Sequence, residues 1–227
     1  MKNLDRLETL KNTTGASTGC GWMVDDVAFL LYSLVKFYKP ELVIQTGHLW
    51  GKSMFMVLEA LTDGFLETRL IESSPVNADK VFSAFTAAHS PKFGGKRAIS
   101  MDPEPMGVPH PVEGIDYLKK CYPGVFEHHK MKSEEFFAQY GSRLKAQYQG
   151  KRIFGIVDGG HSEEACRQDL TDLSTLGAGM MVVDDTQWIP GLGYVSRSFA
   201  AEHGYQFLEF PQYNGVGILV KTSEESL

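Results

Sequence analysis

Three segments of the chain share one design, and that design restricts the fold more than any other feature. ELVIQTG (41–47), RIFGIVDGG (152–160) and MMVVDDT (180–186) are apolar runs that end in glycine, aspartate or an aspartate-rich turn. Each precedes a helix-like stretch: Lys52 to Leu61, Ser162 to Leu176, and a stretch near Tyr194 to His203. Runs rich in Val, Ile and Met without polar alternation suit strands buried on both faces, as in parallel sheets. Their alternation with helices argues for βαβ units. Weaker strands are predicted at KRAISMD (96–102) and VFEHHKM (125–131). YQFLEF (205–210) and GVGILVK (215–221) flank Pro211 to Asn214 and read as a hairpin. The expected fold is α/β: a doubly wound, mostly parallel seven-stranded sheet that ends in an antiparallel hairpin.

Local signals agree with this pattern. Asp25 and Asp26 precede VAFLLYSLVKFY, a buried helix with acids near its N-terminus, stopped at Lys39-Pro40. In the stretch after Gly160, Ser162 is the expected N-cap, with Glu163 and Glu164 in the first turn. Cys166, Leu170 and Leu173 share one face, and Gly177 ends the helix. Residues 1–20 form a polar arm, and residues 21–227 form a single domain. Asp63 to Gly95 does not fit the strand–helix repeat and is expected to be an insertion. Pro103 to Pro111 reads as a proline-rich loop.

Composition bounds the function. The chain has 227 residues, enough for one domain with a core of its own. A net charge of −6 lacks the basic footprint of a nucleic-acid binder, so no nucleic-acid partner is expected. The longest apolar stretch, Val27 to Val35, is too short to span a bilayer, so no membrane partner is expected. Cys20, Cys121 and Cys166 are odd in number, far apart and form no CxxC pair. With a polar N-terminal segment that does not read as a signal peptide, they fit a cytoplasmic protein. The sequence leaves the oligomeric state open, a homo-oligomer included.

Two places carry chemistry. Gly47-His-Leu-Trp-Gly51-Lys52-Ser53 stands between a strand and a helix. Glycines there admit a ligand to the backbone, and the helix start offers free N–H groups to an anion. A phosphate-binding P-loop needs four residues between its first glycine and the Gly-Lys pair, and here there are three. A plain strand-to-helix turn is the simpler alternative. The second place is a constellation of acids. Asp158 ends one strand, and Asp184 and Asp185 end another. Parallel strands deliver those ends to one edge of the sheet, where ligands bind. Clustered carboxylates raise one another's pKa unless a cation compensates, and hard oxygen ligands suit Mg²⁺ or a similar divalent ion. The alternative is that these acids only cap turns. His161, three residues after Asp158, is placed to act as a general base, or as a ligand. His128 and His129 are adjacent on a strand, so they point to opposite faces and are read as structural.

These residues resemble a family. IQTGHLWGKS is similar to motif I of class I S-adenosylmethionine (SAM)-dependent methyltransferases. More narrowly, it resembles the catechol and caffeoyl-CoA O-methyltransferase branch, whose pattern is acid-x-Gly-x-x-x-Gly-x-Ser. Gly47, Gly51 and Ser53 match, and Gln45 stands where the family has an acid. VDGGH resembles that branch's metal segment, with Asp158 as ligand and His161 as base; histidine holds the base position in some macrolide-sugar O-methyltransferases. VVDDTQW resembles the second metal segment, with Asp184 and Asp185 as ligands. The resemblance implies a Rossmann-like sheet. It implies SAM bound by Gln45, Gly47, Gly51, Ser53, Asp102, Ser133 and Asp158, with Asp102 preferred over Glu72 for the ribose. It implies Mg²⁺ or another divalent cation on Asp158, Asp184 and Asp185, and methyl transfer to a hydroxyl of a small sugar, polyketide or phenolic acceptor. The rivals are other tailoring chemistry on the same scaffold, and a catalytically inactive SAM-binding module.

Overall fold

The computed structural model describes residues 25–48, 51–62, 95–103, 111–211 and 214–222. The polar arm, Glu72, Trp22, Trp50, nearly all of the 63–95 insertion and most of the proline-rich loop lie outside the described residues.

The elements run in the order α1 (Asp25–Tyr38), β1 (Leu42–Thr46), α2 (Lys52–Leu61), β2 (Arg97–Met101), α3 (Pro111–Cys121) and β3 (Phe126–His129). They continue with α4 (Ser133–Gln147), β4 (Ile153–Val157), α5 (Glu163–Leu176), β5 (Ala178–Val183), α6 (Pro190–His203), β6 (Tyr205–Phe210) and β7 (Val216–Lys221). The seven strands form one sheet in the order β3-β2-β1-β4-β5-β7-β6. β3, β2, β1, β4 and β5 are parallel, and β7 pairs antiparallel with both β5 and β6. This is the expected Rossmann-like sheet with its terminal hairpin.

Side-chain alternation divides the core between the two faces of the sheet. Val43, Phe154, Ile156 and Val182 pack on one face with α1, α2 and α3. Leu42, Ile44, Ile153, Val157 and Val183 pack on the other with α4, α5 and α6. β1 and β4 are buried along their whole length, which is why their sequences lack polar alternation. Helix α2 is buried at all ten positions, its Glu59 accepting a hydrogen bond from the Tyr122 hydroxyl.

Helix α5 follows its local signals. Ser162 is the N-cap, its side chain accepting from the Ala165 N–H at 3.1 Å, and Gly177 closes the helix in the left-handed region. Two boundaries differ from the sequence expectation. The last long helix starts at Pro190 rather than near Tyr194. Proline at a helix's first position loses no hydrogen bond and arrives with a helical φ. Gly193, within this helix, sits where a Cβ would come within 2.9 Å of the Thr186 carbonyl oxygen. Likewise Pro111, expected in a loop, is the first residue of α3.

Candidate functional site

The strand order places the switch in winding between β1 and β4. In open α/β sheets, ligands bind outside the carboxyl ends of the strands at such a point. Here the ladder extends one residue past the strands. The Gly47 N–H donates to the Met101 carbonyl (2.9 Å), Asp158 N–H to Thr46 (3.0 Å), and Asp184 N–H to Val157 (3.1 Å). These bonds bring Gly47, Asp102, Asp158 and Asp184 side by side along one edge.

Gly47 and Gly51 both adopt positive φ, 77° and 78°. The reason for glycine is more specific than the ligand access expected from the sequence. A Cβ on Gly47 would overlap the backbone carbonyl of Asp158, and one on Gly51 would lie 2.8 Å from the His48 ring. The glycine loop is therefore packed directly on the segment that carries Asp158. Gly51 leads into α2 without a side-chain cap of its own. Gln45 is fully buried; its Nε2 donates to Ser53 Oγ at 2.7 Å, and its Oε1 has no partner among the described residues. Asp102 follows β2 and accepts from the His48 backbone N–H at 3.1 Å.

The acids behave as their clustering demands. Asp158 is pushed well above the ordinary carboxyl range, first by burial and then by Asp184, Asp185 and Asp102. Asp184 is pushed up to about 7 by burial and Asp185, with the Asp185 N–H pulling the other way. Ligand atoms of Asp158, His161 and Asp185 all lie within 4.8 Å of one another. Asp184 is turned differently: its Oδ1 accepts the Asp185 N–H at 3.0 Å. Of the three acids predicted as ligands, the structure thus gathers Asp158 and Asp185 with His161, and sets Asp184 beside them. Clustered acids of this kind fit a divalent cation held by oxygen ligands.

His161 Nε2 lies 3.7 Å from Asp185 Oδ2. The Trp188 ring meets the His161 ring edge-on, with centroids 5.7 Å apart, and is itself 62% exposed. Asp185 has φ 60°, a left-handed backbone that aspartate tolerates better than most residues. Ser133 opens α4, its hydroxyl beside the buried Asp169. His128 and His129 do separate: His128 bonds Ser100 Oγ at 2.9 Å, whereas His129 lies against Phe136 and Tyr140.

Three residues escape the sequence reading. His48 is buried beneath the glycine loop, its ring stacked on Phe126 and tilted against His128. Burial, then His128 and Lys119, hold it well below the ordinary imidazole pKa, so it is neutral. Asn214 donates its side-chain amide to Asp185 Oδ1 at 2.8 Å. Asp169 is a buried carboxyl on α5. The only sequence signal among these is the Asn214-Gly215 pair, which marks a turn.

No protein-family model matches the sequence, and neither does any curated protein. Solved structures do match the fold. An O-methyltransferase from Bacillus cereus, solved in complex with SAH, aligns with TM-score 0.61 and 12% identity over 97% of this chain and 91% of its own. A methyltransferase from Geobacter sulfurreducens aligns with TM-score 0.57 and 12% identity over 98% and 90%. An SAH-bound methyltransferase from Podospora anserina aligns with TM-score 0.58 and 11% identity over 97% and 88%. The chain has the class I SAM-dependent methyltransferase fold. It carries on that fold a three-residue cluster of Asp158, His161 and Asp185 with the donor set of a metal site.

Proposed function

We propose that the protein is a SAM- and divalent-cation-dependent O-methyltransferase acting on a small hydroxylated acceptor. The observation that carries this reading is the convergence of Asp158, His161 and Asp185 on the same sheet edge as the glycine loop. The O-methyltransferase fold of the solved relatives supports it.

SAM would be held by Gln45, Gly47, Gly51, Ser53, Asp102, Ser133 and Asp158. The buried Oε1 of Gln45, without a partner among the described residues, supplies an acceptor, and the start of α2 lies beside it as a helix N-terminus suited to a carboxylate. Asp158 and Asp185 would hold the cation, with Asp184 adding negative charge beside them. When bound, SAM supplies the methyl group and the cation lowers the pKa of the acceptor hydroxyl. His161, exposed at the start of the segment before α5, takes up the hydroxyl proton at its ring. Trp188 packs against that ring at a steep angle and is itself exposed, available to an acceptor. The remaining work of the chain is positioning and electrostatics. His161 stands close enough to the two acids to serve as a ligand instead, and replacing it by alanine separates the two roles.

The test is calorimetric titration of the protein with SAM, first in Mg²⁺ and then in EDTA, followed by turnover on hydroxylated acceptors. Micromolar SAM binding with cation-dependent methyl transfer is the expected result. No SAM binding in either condition removes the reading. SAM binding with no transfer to any hydroxyl favours another chemistry on this scaffold.

A further inference from the structure

We infer that Asn214, in the turn before β7, is a positioning residue that sets the aim of Asp185 and with it the cation affinity of the site. The inference rests on the cation reading of the Asp158–His161–Asp185 cluster.

Asn214 reaches the site in two ways. Its side-chain Nδ2 donates to Asp185 Oδ1 at 2.8 Å. Its backbone carbonyl accepts the Gln187 N–H at 2.7 Å and the Trp188 N–H at 2.9 Å. The next carbonyl, that of Gly215, accepts the Thr186 N–H at 3.1 Å. The turn therefore fastens every residue from Asp185 to Trp188. This fastening holds Asp185 in its left-handed backbone, which costs free energy unless its surroundings enforce it.

The side-chain bond decides which oxygen is used. With Oδ1 committed to Asn214, Oδ2 is the oxygen left 3.7 Å from His161. An amide suits this task for a chemical reason. It donates a hydrogen bond without adding charge, whereas a carboxylate at position 214 would set two acceptors against each other. Partners that orient ligand side chains from behind typically change metal affinity 10–100-fold when lost.

The relation between 185 and 214 is one donor to one acceptor, so removing the donor tests it. Asn214→Asp keeps the side-chain size, the turn chemistry of an Asp-Gly pair and the backbone clamp, but removes the donor.

The experiment is Mn²⁺ titration of the full chain, by calorimetry or by the free-Mn²⁺ electron paramagnetic resonance signal, without SAM. Circular dichroism in EDTA checks the fold of each variant. Asn214→Asp is expected to weaken Mn²⁺ binding by roughly 10–100-fold despite its added negative charge. Asn214→Ala, which keeps the backbone clamp, is expected to weaken binding on its own and carries the test if Asn214→Asp does not fold. Wild-type affinity in Asn214→Ala or Asn214→Asp overturns the inference while leaving the cation site intact. A wild-type protein that binds no Mn²⁺ removes the cation reading itself, and the inference with it.

Discussion

A Cβ atom on Gly47 would overlap the backbone carbonyl of Asp158. The loop that resembles a SAM-binding motif and the segment that carries the central acid are thus one packed unit. Gly47→Ala meets both this overlap and a φ of 77°. Strain at a left-handed position costs about 1–3 kcal/mol, and the steric overlap adds to it. The expected outcome is a melting temperature lower by several degrees, at about 2–4 °C per kcal/mol for a chain of this size. SAM and Mn²⁺ affinities should fall together. Loss of one with the other unchanged would show that the two segments move independently.

Asp158→Ala tests the metal assignment. Asp158 is pressed by Asp184, Asp185 and Asp102 at once. Its removal is expected to abolish Mn²⁺ binding at millimolar concentration and cation-dependent turnover, while SAM binding falls by no more than a few-fold. Full turnover in this variant would exclude Asp158 as a ligand.

His161→Ala separates base from ligand. A general base contributes about 10²–10⁴-fold to turnover. A base role predicts a loss of that size in kcat with Mn²⁺ affinity nearly unchanged. A ligand role predicts that Mn²⁺ affinity falls as well. Titrating wild type and variant under the same conditions reads the difference directly.

The physical reasons for what the sequence revealed are visible in particular residues. Strands β1, β4 and β5 were legible because burial on both faces leaves no polar–apolar alternation to confuse the pattern. Helix α5 was legible because its signals, Ser162, Glu163, Glu164 and Gly177, are all local. The acids were legible as a group because each follows a strand, and a parallel sheet aligns such ends. Their exact partners were not. The bond from His48 to Asp102 spans 54 residues and that from Asn214 to Asp185 spans 29, separations that only strand order and register decide. Asp169 was hidden for the opposite reason. It occupies a polar position in an amphipathic helix, where an exposed side chain is the ordinary expectation.

The acid cluster predicts a pH-dependent stability in the absence of cation. The folded-state pKa values of Asp158 and Asp184 are raised, that of Asp184 to about 7. A raised carboxyl pKa means that folding favours the protonated form. This contribution is fully present below the unfolded value near pH 4 and is lost as pH rises through about 7. In EDTA the melting temperature should therefore fall between pH 5 and 8. Saturating Mg²⁺ replaces the protons and should reduce that fall, and Mg²⁺ affinity should rise over the same range. Identical melting curves with and without Mg²⁺ at pH 8 would contradict the cluster's role as a cation site.

Asp169 gives a second pH effect, separable from the first. Its carboxyl is pushed up to about 6, mainly by burial; the hydroxyls of Ser133 and Thr46 pull it down, and Asp172 and Glu134 push it further up. The sign is the same: the unfolded chain loses this proton near pH 4 and the folded protein near pH 6, so stability declines across that interval. At about 1.4 kcal/mol for each pH unit between the two, the decline has a ceiling of about 3 kcal/mol above pH 6. Asp169→Asn removes the buried charge and keeps an acceptor for the neighbouring Ser133 hydroxyl, which can also accept from the new amide. The variant is expected to melt several degrees above wild type at pH 8, with the gap closing as pH falls toward 4. Because the Asn variant does not touch the Asp158 cluster, Mn²⁺ affinity should not change. A gap of the same size at pH 4.5 and pH 8 would mean that packing, not the charge of Asp169, sets the difference.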